Sequence, residues 1–445
     1  MINFSLFNDQ SRFSPPVDSA LLIGNYVSNE VQEYRKAFYK VHIRKMSGKE
    51  DCHHNIMYIT QPTRNIMRAL GVWPSIDKEK SICKKIYKLL LISVSYILLS
   101  CDLIPAIFYW IMEKTTRVRL QIIPVLLYNF MAAGQYGIFI FRDHQIRQCL
   151  KHVEDDWRNV INADARSMML TSARTGRRLV AFCGVLMYGG ALTFRTILPL
   201  SQGTFVTDEN ITIRLLACPG YYFSIDVQVS PTYEILFAIQ CLSGLVSASI
   251  ATGACGFTAI FVVHACGQLK ILIDLMKKLV EKQWRAGYEV DDKLAEVVEH
   301  QIRIRNFLRL VQQTLHHVCL MEIMANTITI CVLVYLMLME WQNNNTAAVC
   351  TYLLCLTNVT IHVFMFCYTG EQLTVQAEQV ATTSCELEWY RLPDRKARSV
   401  VLLMIMSNTP TKISAGKLID LSLKTFGHVM KTAGAYFNML RSITE

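Results

Sequence analysis

Six long apolar runs limit what this chain can fold into. A helix needs about 20 mostly apolar residues to cross the hydrocarbon core of a bilayer. Residues 89–112 hold one charge, Asp102, residues 120–141 hold none, and residues 179–200 hold one, Arg195. Residues 235–263 hold none, 318–339 hold only Glu322, and 347–369 hold none, with His362 as their sole titratable group. A seventh, weaker element fills 399–440. A water-soluble fold of 445 residues would need a charged surface, yet only 18% of this chain is charged, against about 25% in an average soluble protein. The charge is confined to blocks between the runs, as in membrane chains. The sequence therefore predicts an all-α integral membrane protein with seven transmembrane helices. Residues 1–20 lack the apolar core of a signal peptide, so the first helix is expected to act as the insertion signal.

Lysine and arginine near membrane segments stay on the cytosolic side. The segment ahead of helix one carries thirteen of them, and the loops after helices two, four and six carry eight, nine and four. The alternate loops carry three, one and none. This places the N-terminus in the cytosol and, with seven helices, the C-terminus outside. The sequons at Asn210 and Asn344 fall in predicted outer loops and are candidate glycosylation sites, whereas Asn358 lies inside helix six and should be unused. Most of the fifteen cysteines lie inside the apolar runs, where they read as small apolar fillers. Cys218 is the one well inside an outer loop, and no disulfide framework is expected.

The chain divides into six segments. Residues 1–85 form a cytosolic N-terminal segment, irregular over 1–55, with helix resuming near residue 60 ahead of Trp73-Pro74. Residues 86–266 hold helices one to four, 267–317 a cytosolic helical extension, and 318–370 helices five and six. Residues 371–412 hold a cytosolic loop and a short first piece of helix seven, 399–406. Residues 413–445 hold its long second piece. In the extension, Leu294, Val298, Ile302, Arg305, Leu308, Val311 and Leu315 recur at three or four residues, an amphipathic helix running up to helix five. Helix seven is broken at Ser407-Asn408-Thr409-Pro410, because proline lacks an N–H and clashes with the preceding turn. On its long piece Lys417, Lys424, Lys431 and Asn438 stand seven apart. Lipid would not tolerate that polar face, so it must meet protein or water. A water-lined pathway at an oligomer axis fits, although lysines lining a pore would repel cations.

No enzyme signature is present: no phosphate-binding glycine loop, nucleophile elbow or metalloprotease helix. No catalytic residue, cofactor or metal site is expected. Cys52-His53-His54 has no complementary ligand pair. Positive-inside bias accounts for the basic loops, so no nucleic-acid partner is inferred. Gly244, Ala248, Thr252 and Gly256 sit four apart on helix four and read as close helix packing, with a ligand-access groove as the alternative.

The C-terminal third resembles the insect odorant-receptor family. The residues that carry this are Glu388-Trp389-Tyr390, Pro410, Ala415-Gly416, Phe426 and the stretch Ala435-Tyr436-Phe437-Asn438-Met439-Leu440-Arg441. Gly71-Val72-Trp73-Pro74 is similar to the family's entry motif, and Cys218-Pro219-Gly220-Tyr221-Tyr222 with Ser230-Pro231-Thr232-Tyr233-Glu234 is similar to its second outer loop. The likeness runs from about Tyr58 to the C-terminus. It departs where the family usually has a basic residue ahead of the helix-seven proline, and in the long N-terminal extension. The resemblance implies a tetrameric, ligand-gated, non-selective cation channel in the plasma membrane of olfactory neuron dendrites. It implies a pore lined by the last helices, and odorant binding in the outer half of helices two to six. The chain is similar to a tuning subunit, which implies the Orco co-receptor as partner, since the co-receptor's long insertion between helices four and five is missing.

A ligand pocket is mostly apolar with a few orienting polar groups. Choosing one face from each outer half gives Tyr128 and Met131, Tyr188 and Leu192, Phe237 and Cys241, then Tyr352 and Cys355, with Arg195 able to orient a carbonyl or hydroxyl. The expected ligand is small, largely apolar and without net charge. Met439 and Ile443, four residues apart at the outer end of the last helix, are the expected apolar gate, above the polar stripe of Lys431 and Asn438. A G-protein-coupled receptor is the first rival. Its N-terminus would be outside, and its Asp-Arg-Tyr and Asn-Pro-x-x-Tyr motifs are missing here. A secondary transporter would show repeated halves. A gustatory receptor of the same superfamily is the nearest alternative, but Ser442 and Ile443 stand where its Gln-Phe would be.

Overall fold

The computed structural model describes residues 55–74, 82–160, 162–197, 199–200, 204–206, 212–223, 226–281, 287–391, 394–408 and 412–444. Met1–Asn55 is a unit apart from Ile56–Glu445, and the helical bundle belongs to the second. The expectations for Cys52-His53-His54 and Asn210 lie outside the described residues, as does the side chain of Ile443.

Ten α-helices carry most of the described chain. They are α1 (residues 55–69), α2 (Ile82–Met112), α3 (Thr116–Phe141), α4 (Asp143–Asn159), α5 (Ala163–Leu192), α6 (Thr232–Glu281), α7 (Gly287–Gln342), α8 (Thr346–Cys385), α9 (Asp394–Ser407) and α10 (Leu423–Thr444). Two small antiparallel ribbons complete it, β1 (Thr204–Val206) with β2 (Thr212–Arg214), and β3 (Ser414–Ala415) with β4 (Ile419–Asp420). Six of the helices, α2, α3, α5, α6, α7 and α8, are long and apolar enough to cross a membrane. They coincide with the six apolar runs. The outer face of α2 exposes Ile82, Ile86, Leu89, Leu90, Val94 and Ile97. In water each would forfeit about 25 cal/mol per Å² of apolar surface; lipid removes that cost.

α6, α7 and, with 40 residues, α8 are much longer than a bilayer is thick. At 1.5 Å per residue, the 50 residues of α6 and 56 of α7 span roughly 75 and 84 Å, against about 30 Å of hydrocarbon. The amphipathic spacing read in 294–315 is therefore the extension of a single helix, with Leu294, Val311 and Leu315 buried. At the centre, α6 is buried almost without interruption from Ser247 to Leu269. In lipid, close packing rather than the hydrophobic effect holds helices together, and small residues permit it. A Cβ on Gly256 would meet the Thr63 side chain at 2.3 Å, so α1 lies directly on the backbone of α6. Tyr136 donates a hydrogen bond to the Leu70 carbonyl at 2.7 Å and fixes the end of α1 to α3.

Two expectations need correction. Residues 142–178 are not a loop but α4 and the first half of α5. Ile146, Cys149, Leu150, Val153 and Trp157 are all buried, and their spacing of three or four was the overlooked signal. Asp156 on α4 is 2.9 Å from His264 Nε2 and 2.5 Å from Arg303. It joins α4 to α6 and α7. Burial alone would raise its pKa; hydrogen bonds to His152 and His264 outweigh that and hold the carboxyl well below the usual range.

The second correction concerns helix seven. Its short first piece is α9, but the second piece does not begin at 413. Gly416 and Lys417 both have positive φ, 60° and 61°, a conformation no right-handed helix contains. The chain makes the β3–β4 hairpin first. The Gln312 side chain holds it, donating to the Ser414 carbonyl at 2.8 Å and accepting from its N–H at 2.9 Å. Gly370 on α8 admits the hairpin's exit, since a Cβ there would lie 2.3 Å from the Leu421 carbonyl oxygen. Lys417 thus sits in a turn and does not share the face of Lys424, Lys431 and Asn438.

Candidate functional site

Between α3, α5, α7 and α8 lies a cavity of about 340 Å³, within the size range of small-molecule sites. α3 contributes Val125, Tyr128 and Met131; α5 contributes Met187 and Ala191; α7 contributes Thr329 and Leu333; α8 contributes Tyr352, Cys355 and Val359. A π turn over Thr193–Ile197 follows α5. Such turns insert an extra residue and re-aim side chains, and here the turn brings Phe194 and Arg195 onto the cavity wall. Gly244 is the one lining residue from α6. A Cβ on it would meet Arg195 Cδ and Nε at 2.9 Å, so only glycine lets the guanidinium pass.

The lone charges of the apolar runs pair off around this cavity. Arg195 donates to Asp102 at 2.5 Å, to Asn129 at 3.0 Å and to the Gln240 carbonyl at 3.1 Å. Asn129 donates to Asp102 at 2.9 Å, and the Ser243 hydroxyl adds a longer bond at 3.3 Å. The Arg195 and Asp102 side chains are 5% and 0% exposed. Gln240 carries the network outward: its amide exchanges hydrogen bonds with the Cys218 backbone at 2.9 and 3.0 Å and donates to the Tyr222 hydroxyl at 2.9 Å. The loop after β2 is thereby pinned to the helices. Burial, first among its influences, pushes the Cys218 thiol up to about 12, so it stays protonated and unreactive at neutral pH.

The second pair is Glu322 and His362, with His362 Nδ1 2.6 Å from the carboxylate. Gln135 and Asn326 donate to the same carboxylate at 2.5 and 2.8 Å. His362 and Asn326 line the cavity, while Glu322 stays fully buried behind them. A buried charge without a partner costs several kcal/mol. Pairing these four groups leaves a cavity wall that is apolar and aromatic with few free polar atoms.

Of the residues chosen from sequence, Tyr128, Met131, Arg195, Tyr352 and Cys355 line the cavity. Tyr188, Leu192, Phe237 and Cys241 do not. The Tyr188 hydroxyl meets Ser249 Oγ at 2.7 Å, and Leu192 is 51% exposed on the outside of α5. Phe237 stacks on Tyr233, and Cys241 reaches the Arg195 carbonyl at 3.5 Å. On α5 the chosen face was rotated by about one residue, since Met187 and Ala191 point inward instead; on α6 the lining residue is Gly244, two turns further along from Phe237. Helices apolar all round carry no periodic signal to fix their phase. Of the stripe Gly244, Ala248, Thr252 and Gly256, only Gly244 reaches the cavity; Ala248 and Thr252 are fully buried in packing. Asn358 and His362 were not chosen, although a titratable group inside a membrane span is itself a functional signal.

On α10, Lys431, Asn438 and Met439 are all exposed. Phe437, partly buried, packs on a cluster of Val332, Tyr335 and Leu336 from α7, against which the cavity residue Tyr352 also packs. Asn344 stands exposed in the turn between α7 and α8, and Asn345 caps α8 by accepting from the Ala348 N–H at 3.3 Å.

A family model described as 7tm odorant receptor matches residues 124–434. Among curated proteins, the chain is 23% identical to Odorant receptor 2a of Drosophila melanogaster, over 54% of this chain and 67% of that one. It is 19% identical to Odorant receptor 10 of Aedes albopictus, over 62% and 70%. With Odorant receptor 63a of Drosophila melanogaster the match spans only 51% of the relative's length. Among solved structures, the insect olfactory receptor OR5 from Machilis hrabei in complex with eugenol is similar, with a TM-score of 0.73 at 17% identity. The match covers 88% of this chain and 100% of that one. The structure of the same receptor described without eugenol gives a TM-score of 0.71 at 16% identity, over 88% and 99%.

Proposed function

This chain belongs to the insect 7tm odorant receptor family, a family of multi-pass membrane proteins of olfaction and not of enzymes, and from that premise we propose that it is the odorant-binding subunit of a non-selective cation channel. The subunit assembles with the Orco co-receptor as a tetramer in the plasma membrane of olfactory neuron dendrites. Its N-terminus is cytosolic, its C-terminus is extracellular, and α10 lines the central pore. Asn344 is available to glycosylation on the outer side. The ligand is a small, largely apolar, uncharged molecule held in the cavity between α3, α5, α7 and α8.

One observation carries this reading. The cavity is lined by helices long and apolar enough to span a membrane, and the ionised groups near it are already paired with one another. An ionic ligand would find no free counter-charge there, whereas an apolar one gains from leaving water. The bundle of the Machilis receptor, whose description names eugenol, agrees in fold. The test is current recorded from cells expressing this chain with Orco, this chain alone and Orco alone, against a panel of volatile alcohols, esters, ketones, phenols and terpenes. A response only in the paired cells is expected. Tyr128→Ala and Tyr352→Ala should shift the dose–response about tenfold or more without lowering surface expression. Unchanged dose–responses in both variants would move the ligand site elsewhere.

A further inference from the structure

We propose that a basic belt on the cytosolic side of the bundle, formed where α1 crosses α6 between α5 and α2, binds the headgroups of anionic phospholipids. Only the choice of the cytosolic leaflet depends on the orientation proposed above.

α1 reaches both neighbouring spans. At its start, Arg177 of α5 donates to the Tyr58 carbonyl at 2.7 Å and to Gln61 Oε1 at 3.2 Å, with its guanidinium 4.2 Å from the centre of the Tyr58 ring. Midway, Thr63 lies on the Gly256 backbone of α6, and past its end Gly71 lies against Leu91 and the Lys88 carbonyl of α2. The rings beside it give its depth. Trp73 and Phe139 of α3 both contact Phe257 of α6, and Phe139 stands two residues before the end of α3 at Phe141. α1 therefore lies at the cytosolic edge of the apolar runs, at the level of the headgroups.

The face it turns outward is polar and basic. Ile59, Thr63 and Met67 are buried against the bundle, while Gln61, Asn65 and Arg68 are exposed. On α5, Arg174 and Arg178 are exposed. Residues 174, 178, 182 and 185 share one helix face, and along it the two arginines give way to Phe182 and Val185, 50% and 73% exposed. On α2, the exposed Lys84 and Lys85 stand just before Leu89 and Leu90, which are exposed as well. In both helices the change from cation to exposed apolar surface marks the depth at which phosphate gives way to hydrocarbon.

The protein supplies these cations with no counter-charge. Among the described residues, Arg68, Lys84, Lys85, Arg174 and Arg178 have no ion pair or side-chain hydrogen bond. Neither α1, nor residues 82–101 of α2, nor residues 165–192 of α5 contain Asp or Glu. Asp143, beside Lys88, is taken up by Lys88 and Arg147 at 3.2 and 2.6 Å. Phosphate oxygens suit the arginines, whose planar fork accepts them in pairs. A helix with a basic polar face lies in the interface and is held there by anionic lipid. An acidic protein is the poorer partner, because Phe182, Val185, Leu89 and Leu90 next to the belt belong against acyl chains. Each basic residue beside an anionic membrane surface is worth about fivefold in lipid affinity.

The experiment uses the full chain assembled with Orco, and Orco alone as the blank, in nanodiscs of phosphatidylcholine with and without phosphatidylserine. Retained lipids are counted by native mass spectrometry, and thermal stability is measured in each lipid. Phosphatidylserine should be enriched on the paired complex above the blank, and the enrichment should fall as salt is raised. Arg68→Gln with Arg174→Gln and Arg178→Gln should weaken it at least tenfold, with odorant-evoked current and stability in pure phosphatidylcholine retained. If that variant fails to assemble, Arg178→Gln alone should weaken it by about fivefold. Lys151→Gln with Lys277→Gln and Arg309→Gln removes the same charge from other exposed cytosolic positions and should leave the enrichment unchanged. No enrichment above the blank, enrichment indifferent to salt, or equal loss in both triple variants overturns the belt as a lipid site and leaves the odorant-receptor reading intact. Both leaflets of a nanodisc carry the same lipids, so a reversed orientation would not disturb the result.

Discussion

Arg195 shows how a single residue can look like a ligand contact and serve chiefly as structure. In sequence it was an isolated cation inside an apolar run. In the fold its guanidinium is tied to Asp102, Asn129 and the Gln240 carbonyl, and only its flank reaches the cavity. Removing one partner of a buried ion pair strands the other, at a cost of about 3–5 kcal/mol, whereas neutralising both is far milder. We predict that Arg195→Met lowers surface expression and thermal stability of the receptor strongly. Combining Arg195→Gln with Asp102→Asn should recover most of both. If Arg195→Met folds normally and alters only the odorant profile, the residue is a ligand contact after all. Asp156 follows the same logic on α4. Its folded pKa lies below its unfolded value, so the stability it adds is present above the unfolded carboxyl pKa and is lost only as pH falls through the folded one. That window lies well below neutrality, and this carboxylate gives the receptor no pH dependence near pH 7.

Among the elements, α10 packs where the proposed channel needs ligand and pore to be joined. Phe437 sits against Val332, Tyr335 and Leu336 of α7, the cluster that Tyr352 reaches from the cavity side. Met439, two residues further on, is 57% exposed. Two substitutions should therefore separate transmission from closure. Phe437→Ala removes buried contacts at the α7–α10 junction. It should lower the maximal odorant current more than it shifts the half-maximal concentration. Met439→Ser replaces an apolar gate candidate with a polar one, and an apolar ring closes a pore by dewetting. Odorant-free current should rise, or ion selectivity should change. Met439→Ser channels with wild-type basal current and permeability would place the gate elsewhere on the helix. The hairpin ahead of α10 also redraws the polar stripe. With Lys417 in a turn against α7, the helix carries fewer of the lysines that a cation pathway would have to tolerate.

For the whole molecule, the topology rests on charge. Connections rich and poor in lysine and arginine alternate along the chain, and α6 and α7 carry their long extensions in a basic-rich one. An epitope tag placed after Glu445 should stain on intact cells expressing the receptor with Orco. Staining only after permeabilisation would reverse the orientation, and with it the assignment of the α10 end as the outer gate.

Membrane insertion depends on the composition of one segment at a time, so the six apolar helices could be read from local runs of residues. So could the amphipathic first half of α7 and the break between α9 and α10. The tertiary structure decided what depends on two distant segments at once. Asp102 and Arg195 are 93 residues apart in sequence, and Gln135 and Glu322 are 187 apart; nothing local tells either member which partner it will meet. The rotation of each span was equally hidden, because an all-apolar helix offers no preferred face. Tyr128 and Tyr352 fell on the cavity, while Tyr188 turned away by about a third of a turn. That angle is set by how side chains interlock across helix contacts, where Gly244 yields to Arg195 and Gly256 to Thr63.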